Sequence, residues 1–341
     1  MNEIYIVTGA AGFVGNNVVK MLEAGGSKVR ALVHTQGKEK TALAGTSAEI
    51  FYGDLRNPAD IEQLFKNEEP CEYIFIHAAS YVDIGVTNFS QRLYDINVTG
   101  TKNVLAACTA HKVKRLVYVS TCHAIEEPKK KALTKEPEYF DPAKVHGAYA
   151  KTKTEASACV LQAVKEGLNA VMVHPSGIIG PHDYSNTHTT QLILDFAAHR
   201  LPAGVTGGYD FTDVRDVAKA IITACTAGAA GSYWILSGHF ITVPDLLNTL
   251  GELLGAKKRL PVFPMWLAMV GLPFLWLFAK LTGKRPLYTR YSLYTLRSNG
   301  NFCNDKAKAE LGYNSRPLRE TLSDTIDFLK LSMGKPIRII Q

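Results

Sequence analysis

Two hydrophobic rhythms alternate along this chain. Short stretches rich in apolar residues at 4–7, 28–33, 51–55, 73–76, 116–121 and 170–173 read as strands. Between them apolar residues recur with helical spacing, as at Val18, Val19 and Leu22. Further helices are expected at 58–67, through Asn97–Thr101 and through Tyr149–Lys153. Strand and helix in steady alternation predict an α/β fold, a doubly wound parallel sheet with helices on both faces. Beyond residue 176 the rhythm loosens, although 211–217 leads into a helix and 232–236 forms a late strand. The expected division is a main domain over 1–175, with parts of 211–245 and 295–310 returning to it. A smaller C-terminal lobe is then built mainly from 176–210 and 246–341.

The first strand runs into Thr8-Gly9-Ala10-Ala11-Gly12-Phe13-Val14-Gly15, and a helix follows. Glycines there let the backbone approach a pyrophosphate, while the helix N-terminus offers amide donors and a positive dipole end. The spacing is GxxGxxG, and in this context it predicts a Rossmann-type dinucleotide site; a turn needing glycines only for its shape is the plain alternative. The second strand ends at His34-Thr35, with Lys38 and Lys40 beyond and no acid until Glu39. An acid at that place holds the adenosine ribose 2′-hydroxyl, and basic residues accept a 2′-phosphate. NADP(H) is therefore favoured over NAD(H). The fourth strand ends in His77-Ala78-Ala79-Ser80, small residues that suit close approach of a cofactor. His77 itself is read as a satisfied strand-end histidine.

Residues four apart on a helix share a face, so Tyr149 and Lys153 project into one space. A free phenol, with a pKa of about 10, exchanges protons poorly at neutral pH. A cation held beside it favours the phenolate. Lowering the pKa by about 3 units takes roughly 4 kcal/mol, which an ammonium and a cofactor charge together supply. The pair is read as a general acid/base for a hydroxyl or carbonyl substrate. On its own it is equally the pattern of a solvated helix face.

Composition narrows the class. A hydrophobic fraction of 46% and a charged fraction of 20% are those of a globular protein. Six cysteines at 71, 108, 122, 159, 225 and 303 form no CxxC pair and no zinc spacing. They are expected to be reduced thiols in a cytoplasmic protein, and Met1-Asn2-Glu3 before an immediate strand leaves no room for a leader. The net charge of +7 is uneven: 255–341 carries 15 Lys/Arg against 5 Asp/Glu. The run at 129–131 reads as a solvated loop and not a nucleic-acid patch; no metal site or nucleic-acid partner is expected.

Taken together, these motifs resemble the extended short-chain dehydrogenase/reductase family, also called the NAD-dependent epimerase/dehydratase family. The matching residues are Gly9/Gly12/Gly15, Gly53-Asp54-Leu55, His77–Ser80, Asn97–Thr101, Ser120-Thr121, Tyr149 with Lys153, and Pro175-Ser176-Gly177. The later Asp213–Ala218 and Leu311-Gly312-Tyr313 also match, so the resemblance spans nearly the whole chain. It is strongest to the dihydroflavonol-reductase-like and 3β-hydroxysteroid-dehydrogenase-like branches. The resemblance implies Tyr149 as catalytic acid/base, Lys153 as the residue that lowers its pKa and holds the nicotinamide ribose, and Thr121 as the substrate-orienting hydroxyl. It implies that Asp54 and Leu55 meet the adenine, that Ala78, Ala79 and Ser80 line the ribose and pyrophosphate, and that His174, Pro175 and Gly177 line the nicotinamide. Phe13, Val14, His34, Lys38, Asn97 and Val119 complete the cofactor set, Asn97 chiefly by steadying its helix. Tyr81, Asp83 and Cys122 are candidates to face substrate. Family members often form homodimers through helices near 90–110 and 149–165.

The implied reaction is hydride transfer between the nicotinamide and a carbinol or carbonyl carbon. Two departures narrow it. Cys122-His123 stands where sugar-nucleotide dehydratases carry Asp-Glu, which disfavours elimination. Gly207-Gly208-Tyr209-Asp210 stands where sugar-nucleotide enzymes carry an arginine, which disfavours a nucleotide-sugar substrate. Epimerisation of a sugar or sugar nucleotide is the second reading, and a non-catalytic dinucleotide sensor the third.

One stretch stands apart: 262–279 has no charged residue over 18 positions. A membrane span of about 20 residues is disfavoured because Gly271 and Pro273 interrupt it and 280–341 would lie across the bilayer from its own domain. The leading expectation is a core helix roofing a lipophilic substrate cleft. The other is peripheral membrane contact through 262–285, with Trp266 and Trp276 among headgroups and Lys280, Lys284 and Arg285 on anionic lipid.

Overall fold

The computed structural model describes residues 2–66, 70–83, 89–128, 132–256, 258–282, 290–298 and 300–332. The 129–131 lysine run, Lys284 and Arg285 lie outside the described residues, as do the side chains of 274–282 and 290.

Six strands occupy the predicted apolar runs: β1 (Asn2–Thr8), β2 (Lys28–Val33), β3 (Glu49–Tyr52), β4 (Cys71–His77), β5 (Arg115–Val119) and β6 (Ala170–Pro175). After them come β7 (Gly177–Ile179), β8 (Gly204–Val205), β9 (Gly208–Asp213), β10 (Tyr233–Leu236), β11 (His239–Thr242) and β12 (Val262–Phe263). The main sheet has seven strands in the order β10-β6-β5-β4-β1-β2-β3, and every pairing in it is parallel. Strand order reverses between β1 and β4, and ligand crevices of such sheets open at that reversal, beyond the strands' carboxyl ends. The third strand stops at Tyr52, short of the predicted Leu55, because Asp54 N donates to Asp60 Oδ2 at 2.8 Å and turns the chain.

The helices are α1 (Phe13–Ala24), α2 (Glu39–Ala42), α3 (Pro58–Glu62), α4 (Gln91–Tyr94), α5 (Gly100–Ala110) and α6 (Ala148–Lys165). Then follow α7 (His188–Ala197), α8 (Val214–Ala224), α9 (Val243–Leu254), α10 (Met265–Thr282), α11 (Arg290–Arg297), α12 (Asp305–Leu311) and α13 (Leu318–Ser332). The single helix expected at 58–67 is α3 followed by a 3-10 turn over Gln63–Phe65. One face of the sheet buries Val18, Val19 and Leu22 of α1 with Val217 and Ile221 of α8. The other buries Val104 and Cys108 of α5 with Ala156 and Val160 of α6. A third cluster, with Ile193, Leu246, Leu250 and Ile326, forms the core of the C-terminal lobe.

The lobe is tied to the sheet by charge. Asp213, at the end of β9, is fully buried at its side chain and pairs with Arg215 at 2.7 Å; Arg215 also reaches Asp324 of α13 at 2.7 Å. Arg316 pairs with Asp216 at 2.8 Å. The Asp213-Val214-Arg215-Asp216 motif is therefore a clamp between lobe and sheet.

The core-helix expectation for 262–279 does not hold over its described side chains. Residues 262–273 include no buried position, and Trp266 is 66% exposed. Apolar content alone predicted burial, but no second layer among the described residues covers this segment. No helix among the described residues is long and apolar enough to cross a membrane.

Candidate active site

The glycine turn sits at the strand-order reversal. Gly9 adopts φ +66°, and a Cβ there would lie 2.7 Å from Ala79 Cα. A Cβ on Gly15 would lie 2.2 Å from Gly9 O, so only glycine lets α1 start so close to β1. Gly12 is the N-cap of α1 and no side chain caps that helix, which leaves first-turn amides to an anion. Bare amides, a close backbone approach and the small Ala78-Ala79 opposite fit a dinucleotide pyrophosphate.

On the adenosine side, Asp54 pairs with Arg56 at 2.5 Å and lies 3.4 Å from His34. The Arg56 hydrogen bonds, with help from His34, hold the Asp54 carboxyl down at about 2. Lys38 and His34 are exposed, whereas Glu39 is buried and accepts from Tyr52 Oη at 2.9 Å. Arg56 is a cation that sequence reasoning passed over.

His77 is structural, as its strand-end position predicted. Thr101 Oγ1 donates to Asn97 O at 2.7 Å, so it accepts from His77 Nε2 at 3.1 Å. That leaves His77 Nδ1 to accept from Thr8 Oγ1 at 2.7 Å. Burial drives its pKa down to about 3. Asn97, placed in the cofactor set, instead spends its amide on protein: Oδ1 accepts from Tyr81 N at 2.8 Å, and Nδ2 donates to Tyr81 O and Thr152 Oγ1. It pins the Ser80-Tyr81 loop to α6, and a saturated amide has nothing left for a cofactor.

Helix α6 starts at Gly147, whose φ of +92° turns the chain sharply into Ala148. Tyr149, buried with Leu93, Ala148 and Tyr81, has the Ser80 and Thr121 hydroxyls beside its phenol. Lys153, 1% exposed, donates from Nζ to Val119 O at 2.7 Å and lies 4.3 Å over the Tyr118 ring. All three predicted catalytic residues therefore gather at the carboxyl ends of β4 and β5.

The expected tuning differs. Burial pushes the Tyr149 phenol up to about 12, with Ser80 and Thr121 pulling the other way. Burial pushes Lys153 down to about 7. In the protein alone this pair is not a phenolate-forming couple: both groups lose water, and the Lys153 ammonium is held by a carbonyl and a ring.

Three other predicted residues have protein contacts of their own. The His174 ring packs between Phe140, stacked at 5.2 Å, and Tyr233 at 5.9 Å, and neither ring nitrogen has a hydrogen-bond partner among the described residues, so the ring is committed to protein packing. Cys122, a candidate for substrate, is 2% exposed and donates from Sγ to His174 O at 3.0 Å. A Cβ on Gly177 would lie 2.7 Å from Tyr209 Cε1, so this glycine makes room for a ring. Tyr81 packs against the cluster of Leu93, Ala148 and Tyr149, and Asp83 borders 84–88, which fall outside the described residues.

That ring belongs to a wall which the motif reading did not assemble. Tyr209 Oη and His123 Nε2 share a hydrogen bond at 2.7 Å, and the rings stack at 5.6 Å. Tyr291 of α11 comes within 6.0 Å of His123, and its ring fills the space beside Gly147. Its Oη is buried with no partner among the described residues. Burial drives His123 down to about 4, so this wall is neutral above that pH. Burial raises the Tyr291 phenol, and the neighbouring Tyr149 raises it further. Only the departure at 207–210 hinted at this wall, because its members are brought together by three separate elements.

The comparisons with known proteins agree with this geometry. The NAD dependent epimerase/dehydratase family matches residues 5–235. The chain is 30% identical over 327 residues to sterol demethylase protein B of Methylococcus capsulatus, covering 95% of this chain and 98% of that protein. It is 31% identical over 338 residues to a putative dihydroflavonol 4-reductase of Synechocystis, covering 97% and 95%. The crystal structure of gox2253 superposes with a TM-score of 0.82 at 31% identity, covering 98% of this chain and 100% of that one. With its glycine turn at the strand reversal and its Thr121, Tyr149 and Lys153 in one buried site, the chain belongs to the NAD-dependent epimerase/dehydratase family.

Proposed function

We propose that this protein is an oxidoreductase that interconverts a carbonyl and a secondary alcohol on a lipophilic or aromatic small molecule. The observation that carries the reading is the pairing of the buried Tyr149 phenol with a wall of His123, Tyr209 and Tyr291, whose three side chains carry no positive charge above about pH 4. A nucleotide sugar brings a diphosphate, which such a wall leaves uncompensated. A sterol or flavonoid-like ring system meets it with dispersion and stacking. The names of the two relatives, sterol demethylase protein B and putative dihydroflavonol 4-reductase, point to the same substrate class.

In this reading Tyr149 Oη gives a proton to, or takes one from, the reacting oxygen, and Thr121 Oγ1 holds that oxygen in line. The nicotinamide dinucleotide supplies or accepts the hydride and, when oxidised, brings a positive charge that favours the phenolate. Ser80 and Thr121 favour the phenolate too. Lys153 places its cation along α6 one turn from the phenol, anchored on Val119 O. NADP(H) is the proposed cofactor: His34 and Arg56, both beside Asp54, lie near the end of β2, exposed Lys38 follows, and Glu39 is turned to Tyr52.

The test is a substrate panel. Purified protein with NADPH or NADH is assayed by loss of reduced-nicotinamide absorbance on bicyclic and steroidal ketones, and UDP-glucose is followed for 4-epimerisation. Turnover of the ketones with NADPH and none of UDP-glucose is expected. Epimerisation at a comparable rate would move the assignment to a sugar-nucleotide enzyme.

A further inference from the structure

The strongest unexplained feature lies outside the cleft. Of the thirteen exposed large hydrophobic residues among the described ones, six fall within nine consecutive positions: Val262, Phe263, Trp266, Leu267, Met269 and Val270. The others are scattered singly. Trp266, Met269, Val270 and Pro273 follow the i, i+3, i+4, i+7 spacing that marks one face of a helix, and all four are exposed. A contiguous apolar stripe on a folded body marks an interaction surface.

The charges around it indicate the partner. From Leu253 to Asn304 the chain contains eight Lys/Arg and no Asp or Glu. Lys258 and Arg259 precede the stripe and are exposed. Arg297 closes its other side, within 3.6 Å of Met269 Sδ. Apolar residues rimmed by cations, with a tryptophan at the edge, make the face of an element that lies in a headgroup layer.

We infer that α10 docks this protein on an anionic lipid surface, lying in the interface with Trp266, Met269 and Val270 inserted and Lys258, Arg259 and Arg297 on lipid phosphates. Spanning is excluded by connectivity as much as by Pro273: α9 leads in from the lobe core, and α12 packs beside β10 of the main sheet, so both ends return to one body. A second copy is a poorer occupant, because a two-fold contact would set this cationic segment against its own like. The docked face also adjoins the cleft. Helix α10 packs on α11, and α11 carries Tyr291 to Gly147, two residues from Tyr149. A lipophilic substrate dissolved in the bilayer would then have a short path to the site.

The experiment uses the full chain and needs no turnover. Flotation is measured with phosphatidylcholine vesicles, with and without roughly 30% phosphatidylglycerol, at low salt and at about 0.5 M salt. Parallel samples carry Trp266→Glu with Val270→Glu, or Lys258→Glu with Arg259→Glu. The expected result is flotation on the anionic vesicles that weakens with salt. The apolar pair should lower it about 100-fold, and the charge pair should remove the preference for anionic lipid. Both variants should keep the wild-type melting temperature, since all four side chains face solvent. Absence of flotation, or flotation untouched by both variants, would overturn the inference. So would a wild-type dimer in solution that the apolar pair splits while no lipid is bound. A chain that floats but reduces no ketone would leave this inference standing and overturn the proposed function instead.

Discussion

The two walls of the cleft are built by opposite rules. The cofactor-side wall comes from adjacent carboxyl ends of one parallel sheet and the first turn of α6: Gly9, Ala79, Ser80, Thr121, Tyr149 and Lys153. Each residue there is fixed by backbone geometry, and a single methyl group at Gly15 would collide with Gly9 O. The facing wall is assembled from a 3-10 turn after β5, the strand β9 and the helix α11, joined by one hydrogen bond and ring stacking. Backbone geometry fixes the first wall, and exchangeable side chains make up the second. On the proposed function, one wall would govern whether reaction occurs, and the other on what.

The sharpest way to break this contrast is Gly15→Ala. The added Cβ has no room beside Gly9 O and Ala10 Cα, so the turn must open. The expected cost is about 3 kcal/mol, or roughly 100-fold in dinucleotide affinity, read by NADPH fluorescence titration. A matched substitution at the far wall should leave that affinity unchanged.

Lys153→Met should lower kcat by roughly 100-fold on any ketone that the wild type reduces, with the fold intact by circular dichroism. It also carries a pH signature. The folded-state pKa of Lys153, about 7, lies below its value in the unfolded chain. Between the two pKa values the unfolded chain binds the extra proton, so this residue's contribution to stability rises as pH rises and is lost as pH falls toward 7. Thermal melts without cofactor should therefore show the wild type gaining stability relative to Lys153→Met from about pH 7 to pH 10. Parallel curves for the two proteins would mean that the Lys153 site is wetter than its burial indicates.

The smallest effect is expected at Tyr209→Phe, which keeps the ring and removes the hydrogen bond to His123 Nε2. Loss of about 1 kcal/mol predicts a KM for apolar ketones raised roughly 5-fold, with kcat little changed. A fall in kcat with KM constant would instead place Tyr209 in the chemical step.

The same contrast decides what was legible in the sequence. The strands of the main sheet were readable through β6 because each is a short stretch rich in apolar residues between helical periods. The glycine turn was readable because its chemistry depends on spacing within eight residues. Tyr149 and Lys153 stood out by their spacing of four, whereas Thr121 came only with the family resemblance. The roles of Asn97, Cys122 and His174 were not, since residue type leaves open whether a side chain faces a cofactor or a neighbouring protein group. Asn97 is saturated by Tyr81 and Thr152, and His174 is sealed by Phe140 and Tyr233. The Tyr149–Lys153 pair was visible as a spacing, but its ionisation depends on burial, which is a property of the whole fold. Tyr291 lies 142 residues after Tyr149 and could be joined to it only by the path of α11. Segment 262–273 reads as core by composition and stands exposed, because burial needs a partner surface that composition does not reveal.

The most direct measurement pairs binding with turnover for Tyr149→Phe. NADPH affinity is titrated by fluorescence, and reduction of a steroidal ketone is followed at the reduced-nicotinamide band. The account predicts affinity within about 2-fold of wild type and a kcat lower by roughly 1,000-fold, the scale of a lost general acid. Turnover retained without the phenol would contradict it and place the proton donor elsewhere in the cleft.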